Sequence, residues 1–142
     1  MNSFIQESIF VIQKNGIMST PSGLKYTKDH EWIKIAGDIA TIGITDFAQG
    51  ELGDIVYVEV ETEGETLDAE EVFGSVEAVK TVSDLFLPVA GEVLELNPEI
   101  NDAPELINED PYGKGWIIKL KVSNLADIES LLSAEEYSDL IS

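Results

Sequence analysis

Residues 73–85 read FGSVEAVKTVSDL, with Lys80 near the centre. Small and β-branched residues alternate on both sides of the lysine, the pattern of two strands meeting at a turn. Val76, Ala78 and Val82 are expected to pack inward, while Glu77, Ser83 and Asp84 are polar. The hairpin would then hold one flexible amine at its tip, with Gly74 allowing close packing beneath it. Taken alone, a lysine in a turn is ordinarily just a solvated charge.

The flanking sequence extends the β reading. HEWIKIAGDIATIGIT (residues 30–45) is two strand-like runs joined at Gly37-Asp38, a hairpin signal. IVYVEVE (55–61) places Val56, Val58 and Val60 on one face by alternation. WIIKLKV (116–122) points Ile118, Leu120 and Val122 inward and Lys119 and Lys121 outward. Two helical patches interrupt the strands. TDFAQGELG (45–53) offers Thr45 or Asp46 as N-cap, and SNLADIESLLSAEEYSDLI (123–141) contains the capping box Ser133-Ala134-Glu135-Glu136. Gly91 in PVAGEV is expected to sit in a turn. The sum is a mainly β sandwich or small barrel with short flanking helices, one of them C-terminal.

A chain of 142 residues is long enough for one domain with a real core and short for two. Residues 18–142 are expected to form it. Residues 1–17 lack the basic leader and cleavage site of a secretory signal, so they read as a disordered extension or a start assigned too early. No apolar run approaches the ~20 residues that span a bilayer, so no membrane partner is expected and the cytoplasm is the expected location.

Charge narrows the function classes. Against 28 Asp and Glu stand 8 Lys and no Arg, a formal net charge of −20. Nucleic acid is excluded as a partner, because phosphate backbones are held by clustered basic residues. An acidic surface instead steers toward basic patches on other proteins. There is no Cys and one His, His30, so the usual equipment for nucleophilic catalysis or a zinc site is largely absent. His30 therefore reads as structural. Asn108, Glu109 and Asp110 lie together in NEDPYGKGW, but without the spacing of a calcium loop; Pro111, Gly113 and Gly115 read as a turn feeding the last strand.

Five segments in this order, LKYTKDHEW, ATIGITDFAQGELGDIVYVE, FGSVEAVKTVSDL, PVAGEV and NEDPYGKGWIIKLK, resemble the H-protein family of the glycine cleavage system over residues 24–141. Biotin carriers flank their lysine with methionines and 2-oxoacid dehydrogenase lipoyl domains show Asp-Lys-Ala; here Val79 and Thr81 stand beside Lys80. The resemblance implies a barrel-sandwich hybrid of the lipoyl/biotinyl-carrier type, with lipoic acid in amide linkage to Lys80. It implies a non-catalytic, monomeric shuttle served by four enzymes: a pyridoxal phosphate-dependent glycine decarboxylase, an aminomethyltransferase, a dihydrolipoamide dehydrogenase and a lipoate-attaching enzyme. Glu77 and Asp84 are then candidates for recognition by the attaching enzyme or for contact with the loaded arm. Glu31 and Asp29 are candidates for the polar end of a sheltering cleft, since an arm left in water would lose its aminomethyl group by hydrolysis. Two alternatives remain open: an H-like carrier that relays lipoyl groups elsewhere, and an unmodified acidic binding module.

Overall fold

Alternation of apolar and polar residues gives each strand one face to bury, and two sheets supply those faces to one another. The structure, a computed structural model, describes residues 8–13 and 16–142, with side chains from residue 19 onward. Its strands are β1 (Ser8–Gln13), β2 (Gly16–Pro21), β3 (Lys25–Tyr26), β4 (Glu31–Ala36), β5 (Ile39–Ile44), β6 (Ile55–Glu59), β7 (Thr66–Leu67), β8 (Val72–Ala78), β9 (Val82–Phe86), β10 (Gly91–Leu96) and β11 (Ile118–Val122). The helices are α1 (Asp46–Leu52), α2 (Pro98–Asp102), α3 (Leu106–Glu109) and α4 (Ala134–Ile141), with a 3₁₀ turn over Leu125–Ser130.

A six-stranded antiparallel sheet runs β3-β4-β5-β11-β10-β7, and a three-stranded one runs β6-β8-β9. Ile33, Ile42, Val93, Ile118 and Leu120 from the first meet Ile55, Val58, Phe73, Val76 and Leu85 from the second in one buried core. Side chains of this size each contribute about 1.5–3 kcal/mol on burial. The larger sheet uses its other face as well: Trp32, one residue before the core Ile33, joins Leu24, Tyr26, Ala134, Tyr137 and Ile141 in a second cluster beneath α4.

Several expectations hold. Gly37, at φ 67°, turns β4 into β5; Thr45 caps α1 by accepting from Ala48 N; Ser133 and Glu136 form a complete capping box on α4. Ile118, Leu120 and Val122 are buried, whereas Lys121 is exposed and Lys119 half-buried.

Others need correction. A register shift between Ile55 and Tyr57 moves the alternation of β6 by one, so Ile55 and Val58 face the core and Val56 faces out. In β9 the inward residue is Leu85, not Val82: Val82 pairs with the outward Glu77 and takes the same face. Gly91 is a strand residue rather than a turn residue, while Gly74, in β8, allows the close packing expected of it. A Cβ on Gly91 would stand 2.4 Å from Lys121 O, and one on Gly74 2.5 Å from Glu59 O, so both admit close approach of a neighbouring strand. Two short helices, α2 and α3, were not anticipated, although Asn97-Pro98 is a cap followed by an N1 proline. Within the segment read as a disordered extension or a start assigned too early, residues 8–13 pair with 16–21, and β2 runs across residue 17. The rest of that extension lies outside the described residues. α4 packs on β1 and β2, Tyr26 OH donates to Pro21 O, and Tyr112 OH donates to Ser19 O at 2.7 Å.

Candidate functional site

The β8–β9 hairpin closes with Ala78 N donating to Thr81 O at 2.7 Å, which leaves Val79 and Lys80 in the turn. Val79 N donates to Asp54 O at 3.1 Å and ties the turn to the corner between α1 and β6. That corner is braced from below. Asn108 Oδ1 accepts from Ile55 N, and its Nδ2 donates to Gln49 Oε1 and Gly53 O, each at 2.9 Å. The Lys80 stem runs past Gly53, with Cε 3.9 Å from where a Cβ on that glycine would lie. The amine is thus exposed and its mount is fixed on two sides.

Beside the turn lies a cleft of about 280 Å³. Ile44, Phe47, Ala48, Leu52 and Leu85 form apolar walls; Asp29, His30, Glu31, Glu51, Ser83 and Asp84 supply its polar groups. The fold therefore brings Asp29, Glu31 and Asp84 together, although 55 positions separate the first from the last. Glu77 is not among them. It stands on the outer face of the three-stranded sheet between Tyr57 and Val82.

Glu31 is 2% exposed. Its Oε1 accepts from Thr27 Oγ1 at 2.9 Å and its Oε2 from Phe86 N at 3.1 Å. Burial pushes its carboxyl up to about 8 in spite of these hydrogen bonds, so it is largely neutral at pH 7. A second, larger cleft of about 500 Å³, walled by Tyr26, Leu87, Pro88, Val89, Leu131 and Leu132, shares Asp29 and Glu31 with the first. Glu31 thus faces two cavities.

His30 is held at φ 69°, a left-handed conformation rare for a residue with a side chain. Its Nδ1 hydrogen-bonds Tyr137 OH at 2.8 Å, and that hydroxyl also meets Thr45 Oγ1 at 2.8 Å. Tyr137 in turn stacks on Tyr26, with ring centroids 4.8 Å apart. Burial holds the imidazole below its ordinary pKa, against the pull of Asp29 and Glu51. His30 is a structural residue that also lines the cleft. Sequence reasoning passed over Phe47, Glu51 and Tyr137; the i, i+4 spacing of Phe47 and Glu51 on α1 was the available signal for two of them. Around Asp110, the carboxylate accepts from Lys114 N at 2.9 Å and holds the turn before the last strand.

A lysine on a braced hairpin tip, next to a cleft with apolar walls and buried acid, is the geometry of a tethered-arm carrier. Residues 24–142 match the family described as Glycine cleavage H-protein. The chain belongs to the glycine cleavage H-protein family. Among its relatives, the glycine cleavage system H protein of Bacteroides fragilis is 60% identical over 124 residues, covering 87% of this chain and 98% of that one. The H protein of Bacteroides thetaiotaomicron is 56% identical over the same shares. The crystal structure of a glycine cleavage system H protein from Mycobacterium marinum superposes with a TM-score of 0.77 at 42% identity, over 84% of this chain and 96% of that one. As an H-protein family member, the chain is a lipoyl-carrying shuttle component of the glycine cleavage system. The match begins at Leu24, so β1 and β2 lie before it.

Proposed function

We propose that Lys80 is the residue that bears lipoate, and that the cleft lined by Glu31 and Asp84 shelters the end of the loaded arm. The observation that supports this most directly is the adjacency of an exposed amine, held on a braced turn, to a half-open cleft with a buried carboxyl group. In the attachment step the deprotonated Nζ attacks the carbonyl of an activated lipoyl donor, such as an acyl adenylate. The C–N amide bond forms, the bond to the leaving group breaks, and the proton lost from nitrogen passes to solvent. The bound group supplies a disulfide that accepts an aminomethyl unit and is later reoxidised. This chain is in that reading a carrier and substrate, not a catalyst, acting in the cytoplasm with the decarboxylase, aminomethyltransferase, dihydrolipoamide dehydrogenase and lipoate-attaching enzyme.

The residues of the cleft do the rest. An amine entering it meets Glu31 in its neutral form, and the proton of Glu31 can pass to the amine, leaving a carboxylate beside an ammonium in a low-dielectric site. Thr27 Oγ1 and Phe86 N then stabilise the carboxylate they already touch. Asp84, at the rim and exposed, adds attraction, and Leu52, Phe47 and Leu85 exclude water.

The test is direct. Intact mass and peptide mapping of protein from its native cell should show a lipoyl increment on Lys80, and Lys80→Arg, which keeps the charge, should fold normally, take no lipoyl group and support no glycine cleavage. Asp84→Ala should be lipoylated as the parent is, yet shorten the lifetime of the loaded form; an unmodified Lys80 in the native protein refutes the assignment.

A further inference from the structure

In its neutral form Glu31 carries one hydrogen that its protein neighbours do not take up. Thr27 Oγ1 accepts from Asp29 N and from Glu31 N, each at 3.2 Å, which fills both of its lone pairs, and it gives its own hydrogen to Glu31 Oε1. Phe86 N donates to Oε2. Both carboxyl oxygens are therefore acceptors already, and among the described residues nothing is placed to accept the O–H of this buried acid. A buried donor without an acceptor is costly, so the hydrogen is directed at whatever enters a cavity that Glu31 lines. The smaller of its two cavities lies beside the lysine turn. The larger, of about 500 Å³, has the size of a small-molecule site. Leu87, Val89 and Leu132 give it apolar walls, and Asp29, Glu70 and Asp127 stand against one cation, Lys28, at its exposed mouth. Glu70 lines this cleft and not the smaller one, and it lies near enough to Glu31 to strengthen that carboxyl's hold on its proton.

We infer that this larger cleft is a second binding site, one that takes a small organic ammonium with an apolar body, its nitrogen on Glu31 and its hydrocarbon on Leu87, Val89 and Leu132. Charge and walls select that class of ligand. Three carboxylates against one amine repel an anion and attract a cation. A bare metal ion needs converging oxygen or nitrogen ligands, and among the described residues no group of three or more His, Asp or Glu provides them. Binding exchanges one hydrogen for another: an N–H of the ammonium comes to the carboxyl, the acid proton leaves to solvent, and the carboxylate keeps its hydrogen bonds from Thr27 and Phe86. Glu31 otherwise keeps its proton to about 8, so capture of an ammonium at pH 7 releases a proton and capture at pH 9 releases little. The other groups around Glu31 are Asp29, Lys28, Glu70 and Asp127 in this cleft and His30, Glu51 and Asp84 in the smaller one. Carboxylates and lysine amines ordinarily titrate outside that interval, and burial holds His30 below it. The site needs no group on Lys80.

The experiment uses the unmodified full-length chain and hexylammonium as the probe. Titration calorimetry at pH 7, in two buffers of different ionisation enthalpy, should give a Kd of about 1 mM and the release of about one proton per ligand. At pH 9 binding should be tighter and the release nearly gone. Hexanoate, the same body with the opposite charge, should bind about tenfold more weakly or not at all. In amide NMR spectra hexylammonium should shift Ala69, Leu131 and Leu132, which line the larger cleft, more than Ala48, Leu52 and Ser83, which line the smaller one. Ala69→Phe, at an exposed position on the mouth, should weaken binding about tenfold, and Glu31→Gln should abolish the proton release. Thermal melting checks that both variants fold. Absence of binding, or hexanoate bound as tightly as hexylammonium, overturns the site. So do shifts confined to Ala48, Leu52 and Ser83, which would seat the amine in the smaller cleft. Binding at pH 7 without proton release overturns the part given to Glu31, and with it the class of ligand.

Discussion

Glu31 concentrates the physics of the site in one side chain. In an unfolded chain its carboxyl loses its proton near 4.5, but in the fold it keeps the proton to about 8. Between these values the unfolded state binds fewer protons than the folded one, so stability falls as pH rises through the window and levels off above it. Its neighbours divide in sign: Asp29 and Glu70 add to the elevation, Thr27 and Phe86 oppose it. Glu31→Gln keeps the shape, with the amide oxygen able to accept from Phe86 N and the amide nitrogen able to donate to Thr27 Oγ1. Denaturant titrations of parent and variant should coincide near pH 4.5 and diverge with rising pH, the variant gaining on the order of a few kcal/mol above pH 8. Parallel stability profiles across that window would show that Glu31 does not hold its proton in the fold. Lys80 is the opposite case, a residue whose position was plain from FGSVEAVKTVSDL because turn and strand signals act over a few neighbours.

The element that fixes the lysine is a corner rather than a strand. α1 ends at Gly53, whose φ of 81° turns the chain into β6, and Asn108 from the end of α3 holds the corner with three hydrogen bonds. Asn108→Ala leaves the amide of buried Ile55 and the carbonyl of Gly53 without that partner, which should cost about 1–3 kcal/mol in urea unfolding. Because Val79 N rests on Asp54 O in the same corner, amide exchange at Val79 should accelerate in the variant more than at Val93 in the distant β10. Equal acceleration at both would mean that the corner does not hold the turn. Neither Asn108 nor the outward set of Val82 could be read from local pattern. Asn108 sat in a stretch that read as a turn, and Val82 lies so close to the turn that strand parity depends on where pairing resumes, here at Glu77. The capping box of α4 was legible, because its four residues satisfy one another.

For the molecule as a whole, charge sets how partners arrive. A net charge of −20 spread over 142 residues gives an electrostatic field that reaches partners before contact. Raising the salt from about 0.02 to about 0.3 M should slow subsaturating lipoylation by roughly tenfold and leave the saturated rate nearly unchanged, because screening acts on encounter. A flat salt profile would show that the acidity serves solubility alone. The charge needed only a count. So did the alternation that makes two sheets and the lysine between two strand patterns, since these follow from backbone periods of two residues and from turn chemistry within a few positions. The cleft did not follow. Glu31 meets Phe86 across 55 positions and His30 meets Tyr137 across 107, and the elevated carboxyl, the left-handed histidine and the sheltered cavity exist only where such distant groups are desolvated together. Local pattern was enough for most strands, the caps of α1 and α4 and the lysine at the hairpin tip; tertiary packing decided which acids line the cleft and which apolar side chains stay in water, because burial belongs to the assembled fold and not to any segment of it.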